Sequence, residues 1–280
     1  VSVGGSYKLS DINITIDNEI KSPNNLNPKE QINLFKKQES QAKDTQDYII
    51  LAESISKTLG DNDWAKKLLE EAEKLIKEDV LPDRYIDIAE SAADDDFLGN
   101  KVYAKEIYQR IEKYSEKVRF LKKINISKSC WLQYLGDSIA KDNSLGDKVW
   151  AKELYQKAVE LQIVEGSGAP SYPGAEDQNH HDWNALAESI YKSLGDNDWA
   201  KELFQKAIDF AENTYDYCSI AESIMNSIGD IDYTKIILQI AEQKSKEGYD
   251  FVYLANYTAK ILKDYKLSIN YYKKAESTAD

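Results

Sequence analysis

Apolar side chains recur along most of the chain at three- and four-residue steps, the spacing that places them on one face of an α-helix. One such stripe consists of Tyr48, Leu51, Ala52 and Ile55. A second stripe, on the segment that follows, consists of Ala65, Leu69 and Ala72. Because no alternating strand pattern competes within residues 47–280, we predict that this part of the chain is all-α.

The two stripes belong to an internal repeat. The first stripe contains the motif Leu-Ala-Glu-Ser-Ile at residues 51–55, and related motifs begin at Ile88, Leu135, Leu186 and Ile220, with a shortened one at Leu254. The last three motifs are 34 residues apart and the earlier ones are farther apart. Self-similarity at this period predicts an α-α superhelix, or solenoid, of about six helix-turn-helix repeats.

The residues between the two stripes predict where each helix ends and the next begins. We expect a glycine in left-handed conformation to end the first helix of five copies, at Gly60, Gly99, Gly146, Gly195 and Gly229. A short polar side chain then caps the second helix, from Asp61, Asn100, Asp147, Asp196, Asp230 and Asp264. Trp64, Trp150 and Trp199 occupy equivalent places at the start of second helices, and we expect them to be largely packed between helices.

The spacing of these residues resembles the tetratricopeptide family, with the Sel1-like repeats as near neighbours. Trp183, Leu186, Ala187 and Ile190 stand at the first positions of the family pattern, and Ala200, Phe204 and Ala207 at the later ones. Ala usually replaces the family's Gly, Ile replaces its Tyr, and the closing Pro is absent. The resemblance implies a superhelical array whose first helices line a concave surface that binds another protein or a peptide.

Residues 1–27 do not repeat. Ile12, Ile14 and Ile16 alternate with polar residues, which predicts a short extended N-terminal arm: a tether, a fragment of a lost domain, or a strand waiting for a partner. Asn27 and Pro28 predict the start of a helix that ends near Ala42 and caps a solenoid over residues 28–280, with repeats from about residue 47.

The net charge of −13 argues against non-specific binding to nucleic acid or to anionic membranes, because both require positive charge. No apolar run approaches the ~20 residues that span a bilayer. The only cysteines, Cys130 and Cys218, are too far apart in sequence for a redox or zinc motif, so we expect reduced thiols in the cytoplasm. A removed targeting segment stays open, because the chain begins at Val1.

Two insertions between repeats are expected to project from one rim of the array and to bind the partner there. The first is a basic strip that includes Arg119, Lys122 and Lys123; it is either a patch for an acidic partner or a solvated helix extension. The second is a Gly- and Pro-rich loop with Tyr172, followed by both histidines of the chain, His180 and His181. We interpret it as a contact loop or hinge, because adjacent histidines on one loop rarely close a metal site.

One acid recurs in five first helices directly after the small residue of the motif: Glu53, Glu90, Asp137, Glu188 and Glu222. At ~100° per residue these side chains point away from the buried stripe. The tetratricopeptide resemblance implies that this direction is the concave groove, so we expect the acids to form a ladder along it and to bind a basic segment. The alternative is an intrahelical pair with the lysine four residues later, which Lys57, Lys141 and Lys192 provide but which Glu90 and Glu222 lack.

No phosphate-binding glycine loop, zinc-protease motif or nucleophile elbow occurs in the sequence, so we expect no enzymatic activity, no cofactor and no metal. The expected function is a protein-interaction scaffold or adaptor whose partner is a basic protein or peptide. The alternative is an immunity- or antitoxin-type inhibitor of a basic enzyme, which the size and acidity of the chain also fit.

Overall fold

A computed structural model gives the structure of the protein, and it describes residues 14–16, 19–21, 26–76, 83–115, 127–165 and 179–278. Nearly all of these residues are helical, so the predicted all-α fold is confirmed. The chain divides into two compact units. Unit 1 comprises residues 1–120 together with 141–146, and unit 2 comprises residues 121–140 together with 147–280.

Unit 1 begins with two short antiparallel strands, β1 (Ile14–Ile16) and β2 (Glu19–Lys21), in which Thr15 pairs with Ile20. The strand predicted in the arm therefore pairs with its own neighbour along the chain. Helix α1 (Pro28–Glu39) follows, capped by Asn27 as predicted, and it ends three residues before Ala42. The helices of repeat 1 are α2 (Thr45–Leu59) and α3 (Asn62–Leu75), and those of repeat 2 are α4 (Asp83–Ala93) and α5 (Lys101–Ser115).

Unit 2 continues the same pattern with four further helix pairs among its described residues. They are α6 (Lys128–Ala140) with α7 (Lys148–Glu165), α8 (Asn179–Leu194) with α9 (Asn197–Phe210), α10 (Thr214–Ser227) with α11 (Ile231–Lys244), and α12 (Gly248–Tyr257) with α13 (Tyr265–Ser277). A π-helical turn (Thr258–Leu262) extends α12. The two helices of each pair pack together, and the consecutive first helices α6, α8, α10 and α12 also contact one another. This is the packing of a helical-repeat solenoid.

The predicted helix boundaries are confirmed. The five glycines that end first helices all have φ between 59° and 72°, the left-handed region that glycine enters without steric cost. In the sixth repeat Lys263 takes this conformation instead, with φ of 56°. The predicted capping side chain accepts a hydrogen bond from the amide three residues later in every repeat; Asp61, for example, accepts from Trp64 N at 2.9 Å.

The anchor residues of the two stripes form the core. The small residues of the first helices are completely buried at Ala52, Ala89, Ala187, Ala221 and Ala255, and so are their counterparts Ala65, Ala104, Ala151 and Ala200. Repeats 5 and 6 have Thr234 and Ser268 at the second anchor. Their buried hydroxyls are satisfied, because Thr234 donates to Asp230 O and Ser268 donates to Ala255 O, each at 2.8 Å.

The two extra residues between the helices of repeat 2 form an inserted turn. In this turn Gly99 N donates to Asp94 O at 2.8 Å and Asn100 N donates to Ala92 O at 2.7 Å. The turn buries Phe97, whose carbonyl accepts a 2.7 Å hydrogen bond from Ser56 Oγ of repeat 1. The longer connection is therefore packed structure that links two neighbouring repeats.

Candidate partner-binding surface

The five recurrent acids of the first helices are all partly exposed, and each has a partner within the protein. In two repeats the partner is the lysine four residues later on the same helix. Glu53 binds Lys57 at 2.5 Å, and Glu188 binds Lys192 at 2.6 Å. For these two acids the intrahelical alternative describes the structure.

Glu90 and Glu222 also have partners, although neither has an intrahelical lysine. Glu90 binds Lys141, which is 51 residues away, at 2.6 Å, and Glu222 binds Lys260 of the next repeat. The expectation that these two acids lack an intrahelical pair is confirmed. The lysine comes from a different repeat, and a pattern within one helix does not reveal it.

Asp137 makes a different set of contacts within unit 2. Its carboxylate accepts a 2.6 Å hydrogen bond from Tyr155 Oη and a 2.9 Å hydrogen bond from Ser189 Oγ. Burial, reinforced by the charge of Asp137, raises the pKa of Tyr155. Asp137 is therefore a bridge between helices α6, α7 and α8, and its predicted lysine partner Lys141 binds Glu90 instead.

A seam of polar side chains joins consecutive first helices in unit 2. Gln133 of α6 donates to Ser189 of α8 at 3.0 Å, and Asn184 of α8 donates to Ser223 of α10 at 2.7 Å. Both amides stand three residues before the small anchor residue, and both serines stand two residues after it. The seam thus repeats with the sequence.

The side chains of the seam are different between α10 and α12. The two equivalent positions there hold the buried thiol of Cys218 and the ring of Tyr257, so the amide–serine hydrogen bond is absent from this junction. Tyr257 instead makes an edge-to-face contact with Tyr215 of α10, with ring centroids 6.3 Å apart. Burial, with further contributions from Tyr215 and Glu222, raises the pKa of Tyr257.

Four tyrosine rings extend this contact into an exposed patch. Tyr215 also contacts Tyr253 of α12 edge-to-face at 5.4 Å, and Tyr253 contacts Tyr249 one turn earlier at 6.5 Å. Tyr249 is 64% exposed, Tyr215 42% and Tyr253 40%. We refer to Tyr215, Tyr249, Tyr253 and Tyr257 as the tyrosine cluster.

The backbone beneath the tyrosine cluster is irregular. The π-helical turn begins directly after Tyr257, and Thr258 at its start has a buried hydroxyl without a hydrogen-bond partner among the described residues. Lys260, in the same turn, lies 5.9 Å from the centroid of Tyr257 while it binds Glu222. Such turns are rare and occur frequently at functional sites. Glu222 and the tyrosine rings on α10 and α12, together with Lys260 in the π-helical turn, therefore form one continuous surface.

The tryptophans at the starts of second helices are mostly covered and keep an intermediate exposure, in line with the expectation that they are largely packed between helices. Trp64 packs edge-to-face on Phe35 at 6.4 Å and donates to Glu39 at 3.1 Å. Lysines from the preceding repeat lie over the rings at these positions, as Lys152 does over Trp199 at 5.4 Å. Lys66 over Tyr103 and Lys201 over Tyr233 repeat the arrangement.

Most of the predicted rim falls outside the described residues. This applies to Arg119, Lys122, Lys123 and Tyr172. His180 and His181 were expected in the insertion loop, but their backbone belongs to the first turn of α8. The helix begins at Asn179, four residues before the Trp183 that opens the repeat pattern.

The part of the chain that the structure describes has few features of a metal site, a reactive cysteine or a membrane-spanning helix. These residues contain no cluster of three or more side chains arranged to hold a metal ion. Burial raises the pKa of the Cys130 thiol to about 11 and that of Cys218 to about 12, so both are poor nucleophiles at neutral pH. Among the described helices, none has the length and apolar character needed to cross a membrane.

No family model matches the chain, and no curated protein matches it.

Proposed function

We propose that this protein is a non-enzymatic interaction scaffold that binds another protein, or a peptide, on the first-helix surface of unit 2. The observation that carries the proposal is the tyrosine cluster. Tyrosine is enriched at protein interfaces because its ring buries a large apolar area and its hydroxyl still bonds water or a partner. Contiguous exposed aromatic patches are uncommon on surfaces that bind nothing.

Exposed apolar side chains elsewhere in unit 2 provide a contrast. Val149, Ile236 and Ile269 lie on second helices, and each is more than half exposed. Isolated residues of this kind are ordinary on protein surfaces. The tyrosines differ because their rings contact one another across two first helices. This clustering favours the first helices as the binding surface, as the tetratricopeptide resemblance also implies.

The recurrent acids keep a secondary role in this proposal. Glu188 and Glu222 are compensated by lysines, so they contribute less attraction than free carboxylates. Exposed pairs of this kind are worth only ~0–1 kcal/mol, so a partner can exchange them at small cost. We therefore place the acids at the polar periphery of the site and the tyrosines at its centre. The free thiols Cys130 and Cys218 fit a cytoplasmic location, which is part of the proposal.

A site-specific photo-crosslinker tests this function. A benzophenone amino acid replaces Tyr253 in one variant and Ile269 in a matched control, which is similarly exposed but lies on second helix α13. The proposal predicts that irradiation in the cells that produce the protein yields a defined adduct with one protein from position 253 and not from position 269. Adducts from both positions in equal yield, or from neither, would contradict it.

A further inference from the structure

Lysines lie over several aromatic rings among the described residues. Lys66, Lys152, Lys201 and Lys206 lie over Tyr103, Trp199, Tyr233 and Trp183 respectively, at 5.1–5.9 Å from the ring centroids. Lys260 lies over Tyr257 within the tyrosine cluster itself. An ammonium or guanidinium group within about 6 Å of a ring is attracted by the negative charge of its face. The rings of this chain are thus repeatedly used to hold cations.

Three tyrosines depart from this arrangement. Among the described residues, no lysine or arginine lies over Tyr215, Tyr249 or Tyr253, although these rings are between 40% and 64% exposed. Their ring contacts are with one another and with Tyr257. They form a group of exposed, mutually contacting rings on α10 and α12, and no lysine or arginine of the described residues lies over any of the three.

Exposed acids lie close in sequence to two of these rings, and the exposed Lys246 lies beside one of the acids. Glu212, exposed, precedes Tyr215 by three residues, and Glu247, exposed, precedes Tyr249 by two. Glu222, next to Tyr257, is compensated by its pair with Lys260 and does not add to this charge. The chain as a whole carries a net charge of −13. This net charge attracts a positively charged group to the protein over a long range.

We infer that Tyr215, Tyr249 and Tyr253 form a receptor for the cationic side chains of an extended Arg- or Lys-bearing segment of the partner protein. The inference rests on the proposed function and names the chemistry of its partner. The neighbouring ring centroids are 5.4 and 6.5 Å apart. Alternate side chains of an extended segment are on the same face and about 6.5–7 Å apart. Basic residues at every second position therefore match the 6.5 Å spacing of Tyr249 and Tyr253, and Arg is favoured because its planar group stacks on aromatic faces.

A peptide titration tests the inference. The probe is a heptapeptide with blocked ends, Gly-Arg-Gly-Arg-Gly-Arg-Gly, and its control has citrulline, which has the same shape without charge, in place of each arginine. Tyrosine ring resonances, assigned through single Tyr→Phe variants, report binding to the full chain. We expect the arginine peptide to shift the resonances of Tyr215, Tyr249 and Tyr253, and to bind at least about fivefold more tightly than the citrulline peptide.

Variants at one ring separate the cation interaction from simple apolar contact. Tyr253→Phe retains the ring and is expected to bind the arginine peptide within about twofold of wild type, whereas Tyr253→Leu is expected to weaken binding about three- to fivefold. Tyr265→Leu, on α13 and 63% exposed, is the matched control and should leave the affinity unchanged. All variants are compared only after their thermal unfolding midpoints have been shown to agree with wild type.

Three results would overturn the inference: equal affinity for the two peptides, loss of binding in Tyr253→Phe, or no ring shifts at millimolar peptide. Each is distinguishable from failure of the proposed function. If Tyr253 still crosslinks a protein partner while the arginine peptide fails to bind, the surface is an interaction site and only its cation specificity is wrong.

Discussion

Tyr155 and Gly136 are in direct contact, and the ring leaves no room at position 136 for the alanine that the other repeats have. A Cβ atom at position 136 would lie 2.9 Å from Tyr155 Cε1. The ring is held in this place because its hydroxyl donates to Asp137. Gly136 thus gives space to the ring and Asp137 binds its hydroxyl, whereas the hydroxyl of Tyr108, the equivalent residue of repeat 2, pairs with Ser144.

Gly136→Ala is expected to destabilise the protein, although Gly→Ala inside a helix normally stabilises by ~0.5–1 kcal/mol. The clash with the ring should cost ~1–3 kcal/mol, as overpacking typically does. Urea unfolding measures the effect. In a Tyr155→Leu background, which copies the Leu69 of repeat 1, the same substitution should cost much less. Equal costs in the two backgrounds would show that Tyr155 does not determine the residue at 136.

Asp137 should matter more to stability than the acids at the equivalent positions. Asp137→Ala leaves the buried hydroxyl of Tyr155 without its acceptor, at a cost of ~1–3 kcal/mol. Glu53→Ala removes only an exposed intrahelical pair and should cost less than ~1 kcal/mol. Chemical denaturation of the two variants compares them directly. A Glu53 variant as destabilised as the Asp137 variant would be inconsistent with the bridging role.

Lys263→Gly is expected to raise stability. Lys263 has φ of 56° at the position where five other repeats have glycine, and a side chain in this region costs ~1–2 kcal/mol. Glycine has the greater backbone entropy in the unfolded state, which offsets ~0.5–1 kcal/mol of this gain. The free energy of unfolding should therefore rise by about 0.5–1 kcal/mol. The reverse substitution, Gly195→Ala at φ of 70°, should lower stability. A decrease in the thermal midpoint of Lys263→Gly would contradict this account of the helix end.

Asp230 should contribute to the acid sensitivity of unit 2. The hydrogen bond from Lys201, and then that from the amide of Tyr233, lowers the pKa of Asp230 below its ordinary value. Because the folded pKa is lower than the unfolded value of ~3.9, the stabilisation is complete above the unfolded pKa and is lost as the pH falls through the folded one.

Asp230→Asn isolates this contribution, because asparagine caps helices well and Asn100 already does so in repeat 2. The stability difference between wild type and the variant should be largest above pH ~5 and should shrink as the pH approaches ~3. Urea midpoints across this range measure it. A difference that stays constant with pH would show that the charge of Asp230 is not linked to folding.

The repeat, its caps and its core were predictable because each depends on residues close together in sequence. Gly60 and Asp61, for example, end one helix and cap the next within two residues. The partial exposure of Trp199 was not predictable in this way. Its environment includes Lys152, which comes from the preceding repeat, and the order of residues within one repeat says nothing about which neighbour covers the ring.

The candidate site was predicted only in part. The acids do lie on the first helices, but the partners of Glu90 and Glu222 come from distant positions, and this changes their charge balance. The tyrosine cluster was missed, although a signal for it exists. Tyr215 and Tyr249 are 34 residues apart, the repeat period itself, and Tyr257 stands where the preceding repeats have serine. Comparison of exposed positions between repeats, in addition to buried ones, would have found it.

The affinity of the crosslinked partner for variants of the tyrosine cluster tests the central proposal most directly. The double variant Tyr215→Ser, Tyr253→Ser removes two contacting rings, and Tyr265→Ser, Ile269→Ser removes two similarly exposed side chains of α13. Central interface residues typically contribute ~2 kcal/mol or more each. Isothermal titration calorimetry should therefore show at least a ~30-fold weaker Kd for the cluster variant and an unchanged Kd for the control, at equal Tm. An affinity of the cluster variant within about twofold of wild type would contradict the assignment of this surface as the binding site.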